Sequence, residues 1–336
     1  MLVENYFKKD GKSEAVDYRV LVTARSYANT PGKHQELLRE NGCELDLRAP
    51  AHPYKAEQLR DIIAGYDGVI LGLDACDASV IEQADKLKVI SRYGVGVDAV
   101  DLQAAAAKGI VVTNTPGANM LSVSELTLGL LFALARQIPH VAASAKGGGW
   151  TRPTGWELTS KTLGVVGFGA IGRDVGKKAL ALGMKVLTYD PFWKGEMVGV
   201  ENVPLERLIT EADVITLHCS LTPETSTLIN AERIATMKDG AYIINTARGE
   251  LIDEDALYHN LKSGKLGGAA VDAFRVEPPI GNPLLTLDNF IAIPHLGATT
   301  REAVERMAMM ASQNLLAVLR GEECEFVVNS GLKGKS

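Results

Sequence analysis

Short runs of apolar residues, many of them β-branched, recur along almost the whole chain with helix-like segments between them. Most of these runs are continuously apolar rather than alternating, which is typical of parallel strands covered on both faces. Because strand and helix alternate throughout, the sequence predicts an α/β fold with right-handed crossovers. The predicted strands are Tyr18–Thr23, Gly68–Leu71, Lys88–Ser91, Gly109–Thr113, Thr162–Val166, Lys185–Tyr189, Ala212–His218, Gly240–Asn245, Gly268–Asp272 and Asn289–Ile293.

At 336 residues the chain exceeds the usual size of a single domain. The six later strands suffice for one doubly wound sheet, so the four earlier strands require a sheet of their own. The last helix is predicted to begin with a capping box at Thr299-Thr-Arg-Glu302, to end near Leu319 and to return to the first sheet. The predicted domains are a discontinuous first domain, residues 1–116 with 298–336, and a second domain, residues 117–297.

Composition excludes several classes of function. The chain is 46% hydrophobic with a net charge of −6, and its basic residues are scattered, which argues against nucleic-acid binding. Residues 1–17 are polar and predict a loose extension, and no segment resembles a signal peptide or a membrane span. The cysteines lie far apart without CxxC spacing, so neither a disulfide framework nor a metal site is predicted. We therefore expect a cytoplasmic protein with no membrane partner.

A long amphipathic helix is predicted over Ser122–His140, with the capping-like Ser122-Val-Ser-Glu125 at its start. The segment Asn119–His140, with Val141–Trp150, is more apolar than one helix needs in order to pack on its own sheet. This surplus predicts a homodimer interface, and the alternative is a helix buried between the domains. Its apolar residues are Leu121, Val123, Leu126, Leu128, Leu130, Leu131, Phe132, Leu134 and Ile138.

A glycine-rich segment, Gly167-Phe-Gly169-Ala-Ile-Gly172, follows one predicted strand and opens a helix. A second strand then ends at Asp190, 18 residues after Gly172. This spacing is the fingerprint of a dinucleotide site, in which the glycines permit a tight turn and a close approach to pyrophosphate. An acidic residue at that strand end accepts ribose hydroxyls and repels a 2′-phosphate, so the sequence predicts NAD rather than NADP.

Three polar segments follow later predicted strands, and they contain Arg248, Glu277 and His295. Ligands of open α/β sheets bind beyond the carboxyl ends of the strands, so we expect these side chains to converge. Reduction of a 2-keto acid requires a fixed cation for the carboxylate and carbonyl, which arginine suits, and an acid that titrates near neutral pH, which histidine suits. A carboxylate on the other ring nitrogen would fix the tautomer and favour the protonated form.

With these motifs, the chain resembles the D-isomer-specific 2-hydroxyacid dehydrogenases from about Tyr18 to Ser330, and within them the D-3-phosphoglycerate dehydrogenases. The motifs that carry the resemblance are the glycine segment, Asn245-Thr-Ala-Arg-Gly, the pair Asp272 and Glu277, and Pro294-His-Leu-Gly-Ala. The resemblance implies two Rossmann-like or flavodoxin-like domains with doubly wound parallel sheets and an active site in the cleft between them. The discontinuous first domain would be the substrate domain, and residues 117–297 would be the NAD-binding Rossmann domain. It also implies NAD as cofactor and a small 2-hydroxy or 2-keto acid as substrate.

The resemblance further implies roles for individual residues. Arg248 would bind and polarise the substrate, His295 would be the acid and base, and Glu277 would support the histidine. The expected cofactor contacts are Gly167, Gly169, Ala170, Ile171, Gly172, Asp190, His218, Ser220, Thr246, Ala247, Arg248, Asp272, His295, Gly297 and Ala298. The expected substrate contacts are Arg92, Tyr93, Gly94, Val95 and Gly96, together with Arg248 and His295. The other histidines, His34, His52, His140 and His259, are predicted to lie at the surface.

The chain departs from the phosphoglycerate enzymes at one point of the substrate region. Those enzymes carry an arginine after the third strand, whereas this chain has Leu71-Gly-Leu-Asp-Ala-Cys-Asp77, with two aspartates and no cation. Arg92 and Arg136 do match arginines that the phosphoglycerate enzymes use. The chain also stops without the regulatory domain of longer relatives. The missing arginine and the two aspartates favour a small or differently charged 2-hydroxy acid over 3-phosphoglycerate. A 3-phosphoglycerate-like substrate stays an alternative, because Arg92 and Arg136 would keep part of an anion site.

Three other functions remain open or are disfavoured at this point. Formate dehydrogenases use glutamine where Glu277 stands, which argues against that activity. A phosphite dehydrogenase-type oxidoreductase is compatible with the three catalytic residues. A non-enzymatic NAD(H) sensor, like the transcriptional corepressors of the same fold, would also keep those residues.

Overall fold

The computed structural model describes residues 18–332 and consists of two α/β units, each with a parallel sheet. The first unit contains the chain up to Pro116 and the part from Val304 onward, and the second unit contains Gly117–Ala303. The predicted fold class is confirmed. The sequence placed the two breaks after residues 116 and 297.

The first unit has a five-stranded sheet in the order β2-β1-β3-β4-β5. Its strands are β1 (Tyr18–Val22), β2 (Cys43–Leu47), β3 (Gly68–Leu71), β4 (Val89–Arg92) and β5 (Val111–Thr113). Its helices are α1 (Arg25–Asn29), α2 (Lys33–Glu40), α3 (Ala56–Arg60), α4 (Ala78–Gln83) and α5 (Leu102–Ala107). Every residue of β3 is buried, as a continuous apolar run predicts, and β4 is fully buried although it ends in Ser91 and Arg92.

The second unit has a seven-stranded parallel sheet. Its strands are β6 (Thr162–Val166), β7 (Lys185–Tyr189), β8 (Val200–Asn202), β9 (Val214–Leu217), β10 (Ala241–Asn245), β11 (Leu266–Val271) and β12 (Phe290–Ala292). Its helices are α6 (Met120–Ala135), α7 (Ile138–Lys146), α8 (Ala170–Ala181), α9 (Leu205–Glu211), α10 (Ala231–Thr236) and α11 (Glu254–Ser263). The strand order is β12-β11-β10-β9-β6-β7-β8, so the direction of winding reverses between β6 and β9. The last helix, α12 (Arg301–Leu319), begins in this unit and continues in the first.

The predicted helix over Ser122–His140 is wrong as a single element. It consists of α6 and α7, which are bent by 64° at a break where Gln137 has a left-handed φ of 51°. The helix also begins before the capping-like segment, so Ser122 lies inside α6 rather than at its cap. The predicted cap of α12 is displaced by one residue. The hydroxyl of Thr300, rather than that of Thr299, accepts the N–H of Ala303 at 3.2 Å.

The C-terminal segment runs along β5 and covers one edge of the first sheet. Val327 forms an antiparallel bridge with Thr113, and Val328 N donates to the carbonyl of Val112 at 2.9 Å. The side chain of Asn329 accepts from Val112 N and donates to the carbonyl of Ile110. These bonds satisfy backbone groups that an open sheet edge would leave unpaired.

His34 is not at the surface, contrary to the prediction. It is buried on α2, and its ring packs edge-on against Tyr27 at 4.4 Å. Burial lowers the pKa of His34, so its ring is neutral at physiological pH. The loose extension predicted for residues 1–17 lies outside the described residues.

Two further observations bear on the predicted partners. Within residues 18–332, no group of three or more His, Cys, Asp or Glu side chains is placed to hold a metal ion. No single described helix has the length and hydropathy to cross a membrane, although the bent pair α6 and α7 meets that test when the two helices are taken together.

Candidate active site

The glycine-rich turn lies where the second sheet reverses its winding, between the ends of β6 and β9. Gly167 has a φ of 89°, and a Cβ at this position would lie 2.5 Å from the backbone nitrogen of Cys219. A Cβ on Gly172 would lie 2.1 Å from the carbonyl oxygen of Gly167. Both glycines are therefore required by the close approach of chain segments within this unit.

Gly169 differs from these two glycines because a Cβ there would meet no heavy atom within 4 Å. It is the N-cap of α8 and provides no side-chain cap for the helix. The first N–H groups of this twelve-residue helix and its positive dipole end therefore face open space, as an anion site requires. These features fit the pyrophosphate of a dinucleotide.

Asp190 follows β7 and supports the turn with its carboxylate. One oxygen accepts the N–H of Phe168 at 2.7 Å, and the other accepts the N–H groups of Phe192 at 2.8 Å and Trp193 at 3.2 Å. A carboxylate offers about four acceptor positions, so one remains for a ribose hydroxyl. Asp190 therefore both shapes the turn and carries negative charge beside it.

His218 and Cys219 form the opposite wall of the turn, at the end of β9. The Nε2 atom of His218 lies 2.9 Å from the hydroxyl of Thr216, while its Nδ1 atom is buried without a partner among the described residues. Burial lowers the pKa of His218 to about 3 and raises the pKa of the Cys219 thiol to about 11. At neutral pH both side chains are uncharged.

Arg248 lies in a short loop after β10 that the backbone holds tightly. The side chain of Asn245 donates to the carbonyl of Arg248 at 2.7 Å and accepts the N–H of Ala247 at 3.0 Å. A Cβ on Gly249 would lie 2.2 Å from the backbone nitrogen of Arg275. This glycine therefore allows the loop of Arg248 to pack against the loop of Glu277, because no larger residue fits there.

The predicted pair of Glu277 and His295 is in direct contact. Nδ1 of His295 lies 3.0 Å from both carboxylate oxygens of Glu277. The side chain of His295 is 27% exposed and that of Glu277 is 29% exposed. An ionised carboxylate only accepts, so Nδ1 carries the proton and Nε2 is left for a substrate. Burial raises the pKa of Glu277, but the hydrogen bond and charge of His295, the N–H of Phe274 and the charge of Arg248 outweigh it, so this pKa lies below its ordinary value.

The backbone of His295 has a left-handed φ of 53°, which is uncommon for a residue with a side chain. Asp272, at the end of β11, holds this conformation. Its backbone carbonyl accepts the N–H of His295 at 2.9 Å, and its carboxylate accepts those of Leu296 at 2.6 Å and Gly297 at 2.8 Å. Burial raises the pKa of Asp272 despite these bonds.

Sequence reasoning missed the contribution of α6. The hydroxyl of Ser122 donates to the carbonyl of Gly297 at 2.6 Å, and the hydroxyl of Thr127 lies 3.1 Å from that of Thr246. Each of these partners stands two residues from a predicted catalytic residue, His295 or Arg248. The only signal in the sequence was the presence of hydroxyl residues in an otherwise apolar helix.

The predicted substrate loop belongs to the first unit. Arg92 ends β4 and is 5% exposed, and its guanidinium donates to the carbonyl of Tyr93. Gly94 has a φ of 142°, and its carbonyl accepts from Thr115 N at 3.0 Å. Val95 is 39% exposed. Tyr93 is buried, and its hydroxyl donates to the carbonyl of Val304.

The residues predicted to contact the cofactor all lie in the second unit. They belong to the segments that follow the carboxyl ends of its parallel strands, and these ends share one edge of the sheet. The segments are Gly167–Gly172 after β6, Asp190 after β7, His218 and Ser220 after β9, Thr246–Arg248 after β10, Asp272 after β11, and His295, Gly297 and Ala298 after β12.

Comparisons with known proteins agree with this arrangement. Residues 128–297 match the model for the NAD binding domain of D-isomer specific 2-hydroxyacid dehydrogenases. A D-3-phosphoglycerate dehydrogenase from Methanocaldococcus jannaschii is 53% identical over 74% of this chain and 49% of its own length. A hydroxypyruvate reductase from Thermotoga maritima is 46% identical over 79% of this chain and 88% of its own length.

The structural comparison gives the same result. The TT0316 protein from Thermus thermophilus superposes with a TM-score of 0.85, is 44% identical, and is matched over 92% of this chain and 99% of that one. The chain spans about half the length of the phosphoglycerate dehydrogenase from Methanocaldococcus jannaschii. The predicted resemblance is confirmed, and the chain belongs to the D-isomer-specific 2-hydroxyacid dehydrogenase family.

Proposed function

We propose that this protein is an NAD-dependent dehydrogenase that moves a hydride reversibly between the nicotinamide and C2 of a small 2-hydroxy or 2-keto acid. The observation that carries this proposal is the contact of His295 with Glu277, on the sheet edge that also presents the glycine-rich turn. A proton donor and a dinucleotide site at the same edge are what carbonyl reduction requires.

The cofactor would lie against the turn at Gly167–Gly172, with its pyrophosphate at the start of α8 and its adenosine ribose at Asp190. When bound, NADH supplies a hydride to the substrate carbonyl, and NAD accepts one in reverse. The negative charge of Asp190 disfavours a 2′-phosphate. His218 and Cys219, both uncharged at neutral pH, line the side of the turn at the end of β9.

In reduction, Nε2 of His295 donates the proton that the developing alkoxide takes up. Glu277 stabilises the protonated ring and keeps the proton of Nδ1 in place. The guanidinium of Arg248 binds the substrate carboxylate and polarises the carbonyl. In the first unit, we propose that the N–H groups of Val95 and Gly96 bind the substrate carboxylate.

The two aspartates after β3 need a different interpretation from the one that the sequence suggested. The carboxylate of Asp74 is buried and accepts from Thr23 and from the backbone of Tyr54 and Gly72. Asp77 caps α4 by accepting from the backbone of Ser79 and Val80. Their charges are therefore engaged locally and are a weak argument against a phosphorylated substrate.

The absence of an arginine after β3 remains. Of the two exposed residues in Leu71–Asp77, Asp77 caps α4, and Leu73 is apolar and 40% exposed. We therefore propose a substrate whose group beyond C2 is uncharged. The test follows NADH absorbance with a panel of 2-keto acids, each compared with a phosphorylated analogue. A higher kcat/KM for the phosphorylated members would overturn this choice of substrate. Binding of NADH without turnover of any member would overturn the enzymatic proposal and favour a sensor.

The role of Glu277 can be tested through pH. In Glu277→Gln the protonated ring of His295 loses its partner carboxylate, and reduction needs that proton. The high-pH limb of the rate profile for reduction (the upper limb) should therefore move to lower pH. At pH values above this limb, turnover of the variant should be about 10- to 100-fold lower than that of the wild type. The oxidation direction should be affected less.

Glu254→Gln is a matched control for this experiment. The carboxylate of Glu254 supports the same loop by accepting from Arg275 N and from the side chain of Asn282. This control should leave the limb in place. An unmoved limb in Glu277→Gln would show that Glu277 is not the functional partner of His295.

We also propose that the protein is a homodimer that uses α6 and α7. Leu121, Phe132 and Ile138 are 40–48% exposed, and α7 buries none of its residues. Leu130, Leu131 and Leu134, by contrast, are buried within their own unit. Light scattering should give twice the mass of the chain for the wild type and the mass of one chain for Phe132→Glu. A monomeric wild type at micromolar concentration would contradict the proposal.

The cytoplasm is the location that we propose for this protein. All four cysteines are free, and burial raises the pKa of each thiol, which suits a reducing compartment. Cell fractionation with an antibody against the chain is the direct test.

A further inference from the structure

Helix α6 contains three buried hydroxyl side chains in an otherwise largely apolar sequence. Ser122, Ser124 and Thr127 are each at most 4% exposed. Ser and Thr in helices usually return their proton to a carbonyl three or four residues earlier. Thr127 does this with the carbonyl of Val123, and Ser124 lies 3.0 Å from the carbonyl of Leu121 and closer to the carboxylate of Asp174 on α8.

Ser122 differs because its hydroxyl bonds to no carbonyl of its own helix among the described residues. Its Oγ atom lies 2.6 Å from the carbonyl oxygen of Gly297, 175 positions away in the chain. A Cβ on Gly297 would lie 3.0 Å from the carboxylate of Asp272 and 3.3 Å from the side chain of Val123, so Gly297 is held between β11 and α6. Its N–H is bonded to Asp272 and its carbonyl to Ser122, which fixes both polar groups of this residue.

The loop held in this way is the one that carries His295. Its left-handed backbone is maintained only while surrounding bonds outweigh the strain. Asp272 supplies the bonds on one side of the loop, and Ser122 supplies the bond on the other. Release of the Gly297 carbonyl removes the second support and lets the imidazole move relative to the carboxylate of Glu277.

We propose that Ser122 is a positioning residue for catalysis, whose hydroxyl fixes the Gly297 carbonyl and so keeps the His295 ring against Glu277. This inference rests on the proposed function, because it assigns Ser122 to the acid–base step of that reaction. Ser122 does not touch the imidazole and acts through the loop.

Ser122→Ala tests the proposal, with Ser124→Ala as the matched control. Both changes remove a buried hydroxyl from α6 and favour helix, so both variants should fold. Ser124 bonds to Asp174 of α8 and not to the loop of His295. In Ser122→Ala we expect kcat for reduction to fall by about tenfold, since small displacements of an acid are costly. The upper limb of its pH profile should also move to lower pH, while KM for NADH stays near the wild-type value.

A second measurement does not depend on turnover. The ring signals of His295 can be followed by NMR against pH and assigned among the six histidines by their loss in His295→Gln. In Ser122→Ala they should titrate at lower pH than in the wild type, because contact with Glu277 is weakened. In Ser124→Ala the titration and the pH limb should both stay in place.

Two results would overturn the positioning role. One is an unmoved titration in Ser122→Ala, and the other is an equal shift in Ser124→Ala, which would indicate a general loss of rigidity. If the wild type reduces none of the 2-keto acids, the proposed function fails, but the NMR titration still decides whether Ser122 positions the ring.

Discussion

The two units share an architecture but differ at the point where a ligand would be expected. In each sheet the winding reverses next to the first strand of the unit, between β1 and β3 in the first unit and between β6 and β9 in the second. Open α/β sheets bind ligands at such points. In the first unit this point is closed, since Asp74 links Thr23, Gly72 and Tyr54, and a Cβ on Gly72 would lie 3.1 Å from Cα of Ala24.

In the second unit the corresponding point is open at Gly169. The element after β6 is also a helix of twelve residues, whereas the helix after β1 has five, so only the second unit offers a sustained helix dipole. The difference teaches that strand order alone does not make a nucleotide site. The glycines and the carboxylate in the loops decide whether the crevice is filled by the protein or left for a ligand.

The largest expected effect comes from Asp74→Ala. Two buried donors, on Thr23 and Gly72, and the partly buried N–H of Tyr54 lose this acceptor. Each unsatisfied donor costs about 1–3 kcal/mol, so we expect the free energy of unfolding to fall by about 4 kcal/mol. Urea denaturation measures this change, and NAD affinity of the folded fraction should be retained. In Asp190→Ala water can reach the freed N–H groups, so the loss of stability should be smaller. A larger loss in Asp190→Ala would reverse the comparison.

Gly169→Ala and Gly72→Ala should have opposite effects: the first should weaken NAD binding without loss of stability, and the second should lower stability without loss of NAD binding. A methyl group at Gly169 meets no protein atom within 4 Å, so it would extend into the space that we propose for the pyrophosphate. We expect unchanged stability and NAD binding weaker by about 30-fold, from a steric cost of about 2 kcal/mol. Gly72→Ala should lower stability and leave NAD affinity unchanged. Calorimetric titration and thermal unfolding of both variants measure the four values, and equal NAD affinity in the two variants would refute the open site.

Asp190→Ser addresses the choice of cofactor. Removal of the carboxylate relieves repulsion of a 2′-phosphate, so the ratio of kcat/KM for NADH over NADPH should fall by about tenfold or more. NAD affinity should also fall, because Phe168 N, Phe192 N and Trp193 N lose a charged acceptor. A wild type that already prefers NADPH would be incompatible with this role for Asp190.

The smallest expected effect concerns the neutral wall at His218. Its pKa is about 3 in the folded chain and about 6.5 when unfolded, so protonation favours the unfolded state. Stability should therefore decline as pH falls from about 6.5 towards 3. His218→Gln should flatten this decline when unfolding is measured without cofactor between pH 7 and 5. An identical pH slope in the variant would mean that His218 is not kept neutral by burial.

Sequence patterns predicted the apolar strands well and missed two of the four edge strands. Gly68–Leu71, Thr162–Val166 and Lys185–Tyr189 were predicted with the bounds that the structure has. The strands β2 and β8 were missed because they carry alternating or exposed polar residues, as edge strands do. Gln137 gives no local signal for a left-handed conformation, but Pro139, in the first turn of α7, is a signal for the start of a new helix that the prediction of one helix overlooked.

The chemistry of the site was predictable where it depends on residue type and order, as for the contact of His295 with Glu277. The support of the site was not predictable, because the bond from Ser122 to Gly297 joins residues 175 positions apart. Asp74 shows the same limit in the opposite direction. Its charge suggested an effect on substrate, but its partners, Thr23 and Tyr54, come from distant loops and use that charge locally.

The return of the chain to the first unit at its C-terminus has a consequence for biosynthesis. The first sheet needs Leu319 for its bond to the Tyr18 hydroxyl, Ala311 for its bond to Ser91, and Val328 for its pairing with Val112. Synthesis must therefore proceed past Val328 before that sheet can be completed, whereas the second unit is contiguous. We expect the second unit to fold first during translation. The strands of the first unit, although synthesised earlier, would complete their sheet only after α12 has been synthesised.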